Sequence, residues 1–84
     1  MDIKEIIAIF SEIAVHESEY APSFTVDCLL QVELLMKGNH KITVLCGEEE
    51  FIDCSATSSD GYLGIGDTLI KPIIDIEEIH LKMR

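Results

Sequence analysis

The stretch from Phe24 to Met36 alternates between apolar residues and mostly polar ones. Successive side chains of a strand point to opposite faces of a sheet, whereas a helix repeats its apolar residues every three or four positions. The alternation therefore predicts one long strand, over residues 23–37, with one face on a hydrophobic core. Its apolar face would consist of every even position: Phe24, Val26, Cys28, Leu30, Val32, Leu34 and Met36.

A helix is predicted before this strand, over about residues 2–19. Apolar residues recur there at steps of three and four, which is the spacing of one helix face. They are Ile3, Ile6, Ile7, Phe10, Ile13 and Ala14. We expect Ile6, Phe10 and Ile13 to pack on the sheet, and Pro22 to prevent the helix from continuing into the strand.

A turn signal at residues 37–40 separates the long strand from a second strand, predicted over residues 41–47. The even positions of this second strand are apolar as well. For the two apolar sets to share a face in an antiparallel pair, the loop must contain an odd number of residues. We therefore predict a three-residue loop at 38–40, which places Met36 opposite Ile42.

Four shorter strands are predicted over residues 51–56, 62–65, 68–71 and 79–83. The first of them alternates, with Ile52, Cys54 and Ala56 on one side. Glycine-rich or polar segments, which are typical of turns, separate the first three strands.

This order of elements resembles that of small Sm-like and SH3-like barrels. Residues 69–79 are similar to the strand, one-turn helix and strand that close those folds. We expect one α+β domain over residues 1–84, with an N-terminal helix packed on a strongly bent antiparallel sheet of five to six strands. The resemblance implies that this sheet forms a small Sm/SH3-like barrel. The alternative is a helix packed on an open antiparallel sheet.

The chain carries a formal net charge of −10, and most of it lies in residues 48–78. That segment holds nine acidic residues and one basic residue, Lys71, so it accounts for −8 of the total. A negative field repels phosphate groups and anionic lipids and attracts basic proteins. We therefore expect a basic protein surface as the partner, and no direct binding of nucleic acid or membranes.

The sequence predicts a cytoplasmic protein, because it has no long uncharged apolar run and no cleavable signal pattern. Its three cysteines, Cys28, Cys46 and Cys54, lack the spacing of a disulfide framework or a zinc knuckle. We expect reduced core thiols, with Cys28 and Cys46 on the apolar faces of their strands. No cofactor and no metal site is expected, because the cysteines and histidines are too scattered for a tetrahedral ligand set.

An enzyme is not expected either. Nucleophilic catalysis needs a serine or cysteine beside an oriented base, and nothing in the sequence brings the serines near His40 or His80. The glycines of residues 61–66 follow the order G-x-x-G-x-G, which reverses the dinucleotide-binding fingerprint. The alternative from a different class is a small-molecule or metal-binding domain that uses the loop from Gly61 to Asp67.

The densest run of carboxylates supplies the predicted partner-binding surface. This predicted surface comprises Glu48, Glu49, Glu50, Phe51 and Asp53. Phe51 has the opposite parity from Ile52, so we expect its ring to face outward. An aromatic side chain beside acids is a good anchor for a basic partner, and Tyr20 and Tyr62 are further candidates.

The leading hypothesis is a small acidic, non-enzymatic protein-binding module. In its sharpest form the protein is an inhibitor or regulator that places carboxylates where the phosphates of a nucleic acid would lie on a basic protein. The alternative in the same class is a homo-oligomeric structural subunit that assembles through an exposed strand edge.

Overall fold

A computed structural model describes residues 1–18, 22–47 and 49–84. Within those ranges the chain forms one α-helix, eight strands and one turn of 3-10 helix. The elements are α1 (Ile3–Ile13), β1 (Ala14–Glu17), β2 (Ser23–Asp27), β3 (Leu29–Met36), β4 (His40–Leu45), β5 (Phe51–Ala56), β6 (Leu63–Ile65), β7 (Thr68–Ile70), the 3-10 turn (Ile73–Asp75) and β8 (Ile76–Met83).

The strands form two antiparallel sheets, ordered β1-β2-β5-β6-β7 and β4-β3-β8. The predicted class, α+β with the N-terminal helix packed on antiparallel sheet, is confirmed. Six strands were expected at most, and two features account for the eight observed. Residues 14–17 form a strand instead of continuing the helix, and the long strand is divided in two.

The helix begins as predicted, because the Asp2 carboxylate accepts a hydrogen bond from the Glu5 N–H at 2.9 Å. It buries Ile6 and Phe10, and the Phe10 ring lies 6.3 Å from that of Phe24. The predicted extension is wrong over residues 14–18, and residue 19 lies outside the described residues. Helices of this length depend on burying an apolar face, and the residues after Ala14 are exposed, so pairing with β2 satisfies their main chain better.

The predicted continuous strand 23–37 is interrupted at Cys28, which has a φ of +63°. This left-handed residue turns the chain from the five-stranded sheet into the three-stranded one. The thiol of Cys28 is consequently exposed, and Leu29 takes the buried position beside it. The expectation that Cys28 belongs to the apolar face is therefore wrong, whereas Cys46 and Cys54 are buried as expected.

The β3–β4 hairpin keeps the predicted parity but not the predicted register. Met36 lies opposite His40 and Leu34 opposite Ile42, so the apolar sets share one face around a loop at 37–39. The turn needs two consecutive residues with positive φ, and Gly38 and Asn39 supply them at +81° and +62°. His40 is therefore left to the strand instead of the loop.

The later elements agree closely with the sequence. β5 occupies the predicted residues, and a 3-10 turn precedes β8 as the barrel resemblance implies. β8 begins three positions earlier than residue 79, because Ile76 continues the pairing with Met36. One core lies between the helix and both sheets, and no polar or charged residue is buried in the described parts of the chain.

Candidate functional site

Four of the five predicted binding residues are described by the structure, and they lie at the turn into β5 and on the outer face of that strand. Glu49 and Glu50 are exposed in the turn, whereas Glu48 lies outside the described residues. Phe51 and Asp53 alternate with buried Ile52. The side chain of Phe51 therefore faces outward, as its parity predicts, and the residue retains 51% of its full exposure.

Pairing of β5 with β6 adds the Gly66–Asp67 turn to this surface. The Gly66 N–H donates to the Asp53 carbonyl oxygen at 2.8 Å. Glu49, Phe51, Asp53, Gly66 and Asp67 consequently line one open depression of about 260 Å³. Asp67 was not among the predicted partner-binding residues, although its Gly-Asp turn is a sequence signal and the alternative hypothesis included it in the loop from Gly61 to Asp67.

A second depression, of about 180 Å³, adjoins the first, and Glu49, Gly66 and Asp67 line both of them. Its other wall is the end of β4, where Val44 and Cys46 are buried and Leu45 is 76% exposed. We call these two adjoining depressions together the acidic groove. The groove therefore runs from the outer face of β5 to the end of β4.

The carboxylates of the groove have no cationic partner within the described residues. The ion pairs formed among the described residues lie outside the groove and join Lys37 to Asp75, Lys41 to Glu33 and His80 to Glu78. Asp53 accepts a neutral hydrogen bond from the Thr25 hydroxyl at 3.1 Å. The negative charge of the groove is therefore not compensated by ion pairs and remains available to an external cation.

Arg84 contacts the main chain of residues 47–50, which we call the acidic turn, and among the described residues it forms no ion pair with the Glu49 or Glu50 carboxylate. Its Nη2 donates to the main-chain oxygens of Gly47 and Glu49, at 2.9 and 3.0 Å. Its own N–H donates to the Cys28 carbonyl at 2.8 Å. The two side-chain hydrogen bonds hold the main chain at Gly47 and Glu49 beside the groove, and they do not use the Glu49 carboxylate.

The thiols are poorly suited to nucleophilic chemistry. Burial raises the pKa of the Cys54 thiol to about 12 and also raises the pKa of Cys46. The pKa of exposed Cys28 is raised chiefly because its thiol donates a hydrogen bond to the Asp27 carboxylate. Since the thiolate is the reactive form, all three remain protonated at neutral pH.

The middle of the segment from Gly61 to Asp67, which the alternative hypothesis treats as a binding loop, is a strand. Leu63–Ile65 is the buried strand β6, paired on both sides. A Cβ on Gly64 would lie 3.0 Å from the Ser55 hydroxyl, so close packing accounts for this glycine. Tyr62 is half-buried beside this strand, and Tyr20 lies outside the described residues. Of this segment, Ile65 and the Gly66–Asp67 turn line the groove.

Histidine, cysteine and acidic side chains do not gather in groups of three or more that could hold a metal ion within residues 1–18, 22–47 and 49–84. In the same ranges no helix has the length and apolar character needed to cross a membrane.

Comparison with known proteins leaves the site to be interpreted from its own geometry. The chain matches no protein-family model, no curated protein and no solved structure.

Proposed function

We propose that this chain is a small acidic, non-enzymatic module that binds a basic surface of another protein in the cytoplasm. The observation that carries the proposal is the acidic groove, where the exposed ring of Phe51 stands beside the unpaired carboxylates of Glu49, Asp53 and Asp67. A reducing compartment suits the three free cysteines.

The carboxylates and the aromatic ring have different roles in this interaction. Unpaired surface charges accelerate association with an oppositely charged partner, and they determine which partners are repelled. Phe51 supplies apolar area that becomes buried on contact. Because about half of this residue is exposed, its burial contributes roughly 1 kcal/mol of binding free energy at the usual value per unit area.

In its most specific form, the module is an inhibitor or regulator of a nucleic-acid-binding protein. Such partners carry arginine and lysine side chains spaced to neutralise phosphates. Carboxylates on the groove would pair with those cations and exclude the nucleic acid. The chain's own net charge of −10 favours a cationic partner over a nucleic acid as the direct ligand.

The proposal is tested by charge reversal in the acidic turn. The variant with Glu48, Glu49 and Glu50 all changed to lysine is compared with the parent in captures of host proteins at low and high salt. A variant with Glu12, Glu17 and Glu77 changed to lysine has the same net charge but leaves the groove intact, so it is the matched control. Its three sites are exposed and lie on other elements.

A partner retained by the parent and the control, but lost from the turn variant and released by salt, supports the proposal. That partner should also lose its affinity for labelled DNA or RNA when the parent protein is added. If the turn variant retains the same partner with the same salt dependence, the acidic turn is only a solubilising surface and the proposal is wrong.

A further inference from the structure

β4 is an edge strand, and its open edge carries main-chain groups with a defined direction. The sheet order β4-β3-β8 leaves one side of β4 without a strand partner among residues 1–18, 22–47 and 49–84. The Cys46 N–H donates to the Leu30 carbonyl at 3.0 Å, and alternate residues of an antiparallel strand direct their main-chain groups to opposite sides. Even residues of β4 therefore bond to β3. The N–H and C=O groups of Lys41, Thr43 and Leu45 point to the open edge.

This edge lacks the features that usually protect an edge strand. β4 has six residues, no proline and no register shift against β3. Its one edge-facing lysine, Lys41, lies at the loop end and is paired with Glu33 at 3.5 Å. By contrast, β7 has three residues and is soon followed by Pro72, while β1 and β8 both contain register shifts. β4 is therefore the edge best able to accept another strand.

The same edge leads into the acidic groove. Val44, Leu45 and Cys46 line its second depression together with Glu49 and Asp67. A chain extended along β4 would therefore pass these two carboxylates. Cationic side chains at that end of the added strand would meet unpaired negative charge, and Leu45 would offer it exposed apolar surface.

We propose that β4 accepts an extended segment of a basic partner as an added strand, with lysine or arginine side chains of that segment reaching Glu49 and Asp67. This inference rests on the proposed function and assigns its mode of recognition. Main-chain bonds to the β4 edge provide affinity, and the groove selects for cations. A second copy of this chain is the less suitable occupant, since each copy carries a net charge of −10.

The first measurement uses the parent protein and a short peptide of alternating lysine and valine. Amide hydrogen exchange is followed by NMR with and without saturating peptide. We expect slower exchange at the outward amides of Lys41, Thr43 and Leu45, while the amides of β7 do not change. Unchanged exchange at these three β4 amides in the peptide-bound protein overturns the proposal without any substitution.

The second measurement uses proline to block one edge at a time. Thr43→Pro removes an outward N–H and leaves the bonds to β3 in place. Leu69→Pro is the matched control on β7, because the two-residue turn pairs Ile65 with Thr68 and so directs the Leu69 main chain outward. Thr43→Val controls for loss of the hydroxyl. Amide spectra show which variants fold, and only folded variants are compared.

We expect Thr43→Pro to weaken peptide binding by about tenfold, with Leu69→Pro and Thr43→Val close to the parent. Equal affinity of Thr43→Pro and the parent overturns strand addition. If in that case the Glu49→Lys, Asp67→Lys double variant still loses binding, charge recognition and the proposed function stand. If the double variant also binds like the parent, the proposed function fails as well. Self-association with β4 amides protected in the absence of peptide would make a second copy the occupant and refute the proposal.

Discussion

The side chain of Arg84 donates a hydrogen bond of 3.0 Å to the main-chain oxygen of Glu49. This contact joins residues separated by thirty-five positions and ties the chain after β8 to the acidic turn before β5. Because the acceptor is the carbonyl and not the carboxylate, the main chain at Glu49 is held in place while the Glu49 carboxylate forms no ion pair among the described residues.

Arg84→Ala should therefore loosen the acidic turn without unfolding the protein. We expect faster amide exchange at Glu50 and Phe51, and a loss of roughly 1 kcal/mol or less of unfolding free energy, because both hydrogen bonds are exposed to water. Lys82→Ala removes a neighbouring exposed cation and is the control. Equal exchange rates in the two variants would show that Arg84 does not hold the turn.

Phe10→Ala should lower the free energy of unfolding by about 3–5 kcal/mol. The Phe10 side chain is fully buried and its ring packs on Phe24, so truncation leaves a cavity between the helix and the five-stranded sheet. Urea denaturation measures the change, with Glu12→Ala on the exposed side of the helix as the control. An unchanged midpoint for Phe10→Ala would mean that the helix does not contribute to the core.

The three thiols should differ in their reaction with iodoacetamide. Cys28 should be alkylated in the folded protein, whereas Cys46 and Cys54 should react only after unfolding. The hydrogen bond to the Asp27 carboxylate raises the pKa of the Cys28 thiol above that of an ordinary cysteine. Since the thiolate is the nucleophile, the rate should increase with pH and reach its midpoint at a higher pH than for an unperturbed thiol.

Asp27→Asn removes the negative charge that opposes the Cys28 thiolate, so the midpoint of this pH profile should fall. Asp60→Asn leaves the surroundings of Cys28 unchanged and should reproduce the parent profile. Mass spectrometry after timed alkylation measures the rate of Cys28 modification at each pH in the parent and in the two variants. An Asp27→Asn profile identical to that of the parent would refute the role of the Asp27 hydrogen bond.

Replacement of Cys28 tests the left-handed turn between β2 and β3. Cys28→Val should be less stable than Cys28→Gly by about 1–2 kcal/mol, because a positive φ crowds a Cβ, and a β-branched one most of all. The same pair of changes at Thr43, in the regular strand β4, should give the opposite order of stability. If Cys28→Val were more stable than Cys28→Gly, residue 28 would have an extended conformation and the left-handed turn would be refuted.

β5 illustrates what the sequence alone determines. The alternation of Phe51, Ile52, Asp53 and Cys54 predicts which side chains are exposed and which are buried, and the structure agrees. This inference needs only the period of a strand, which is a property of neighbouring residues. For the same reason the helical stripe predicted that Ile6, Phe10 and Ile13 face the core, where Ile6 and Phe10 are buried and Ile13 is partly buried.

Cys28 illustrates where local patterns are insufficient. Its apolar character and even position fit an uninterrupted strand, and cysteine has no intrinsic preference for positive φ. The turn occurs there because β2 pairs with β1 and β5 while β3 pairs with β4 and β8. Pairings with strands far along the chain outweigh the preference of a single residue.

The candidate site depends on both levels of information. Composition and charge order determined that the surface is acidic and that Phe51 stands among carboxylates. Tertiary structure decided that Asp67 joins them, because β5–β6 pairing brings the Gly66 N–H within 2.8 Å of the Asp53 carbonyl. It also decided that the groove meets the open edge of β4. Side-chain periodicity follows from the local backbone, whereas the proximity of distant segments follows from strand register, which only the packed core selects.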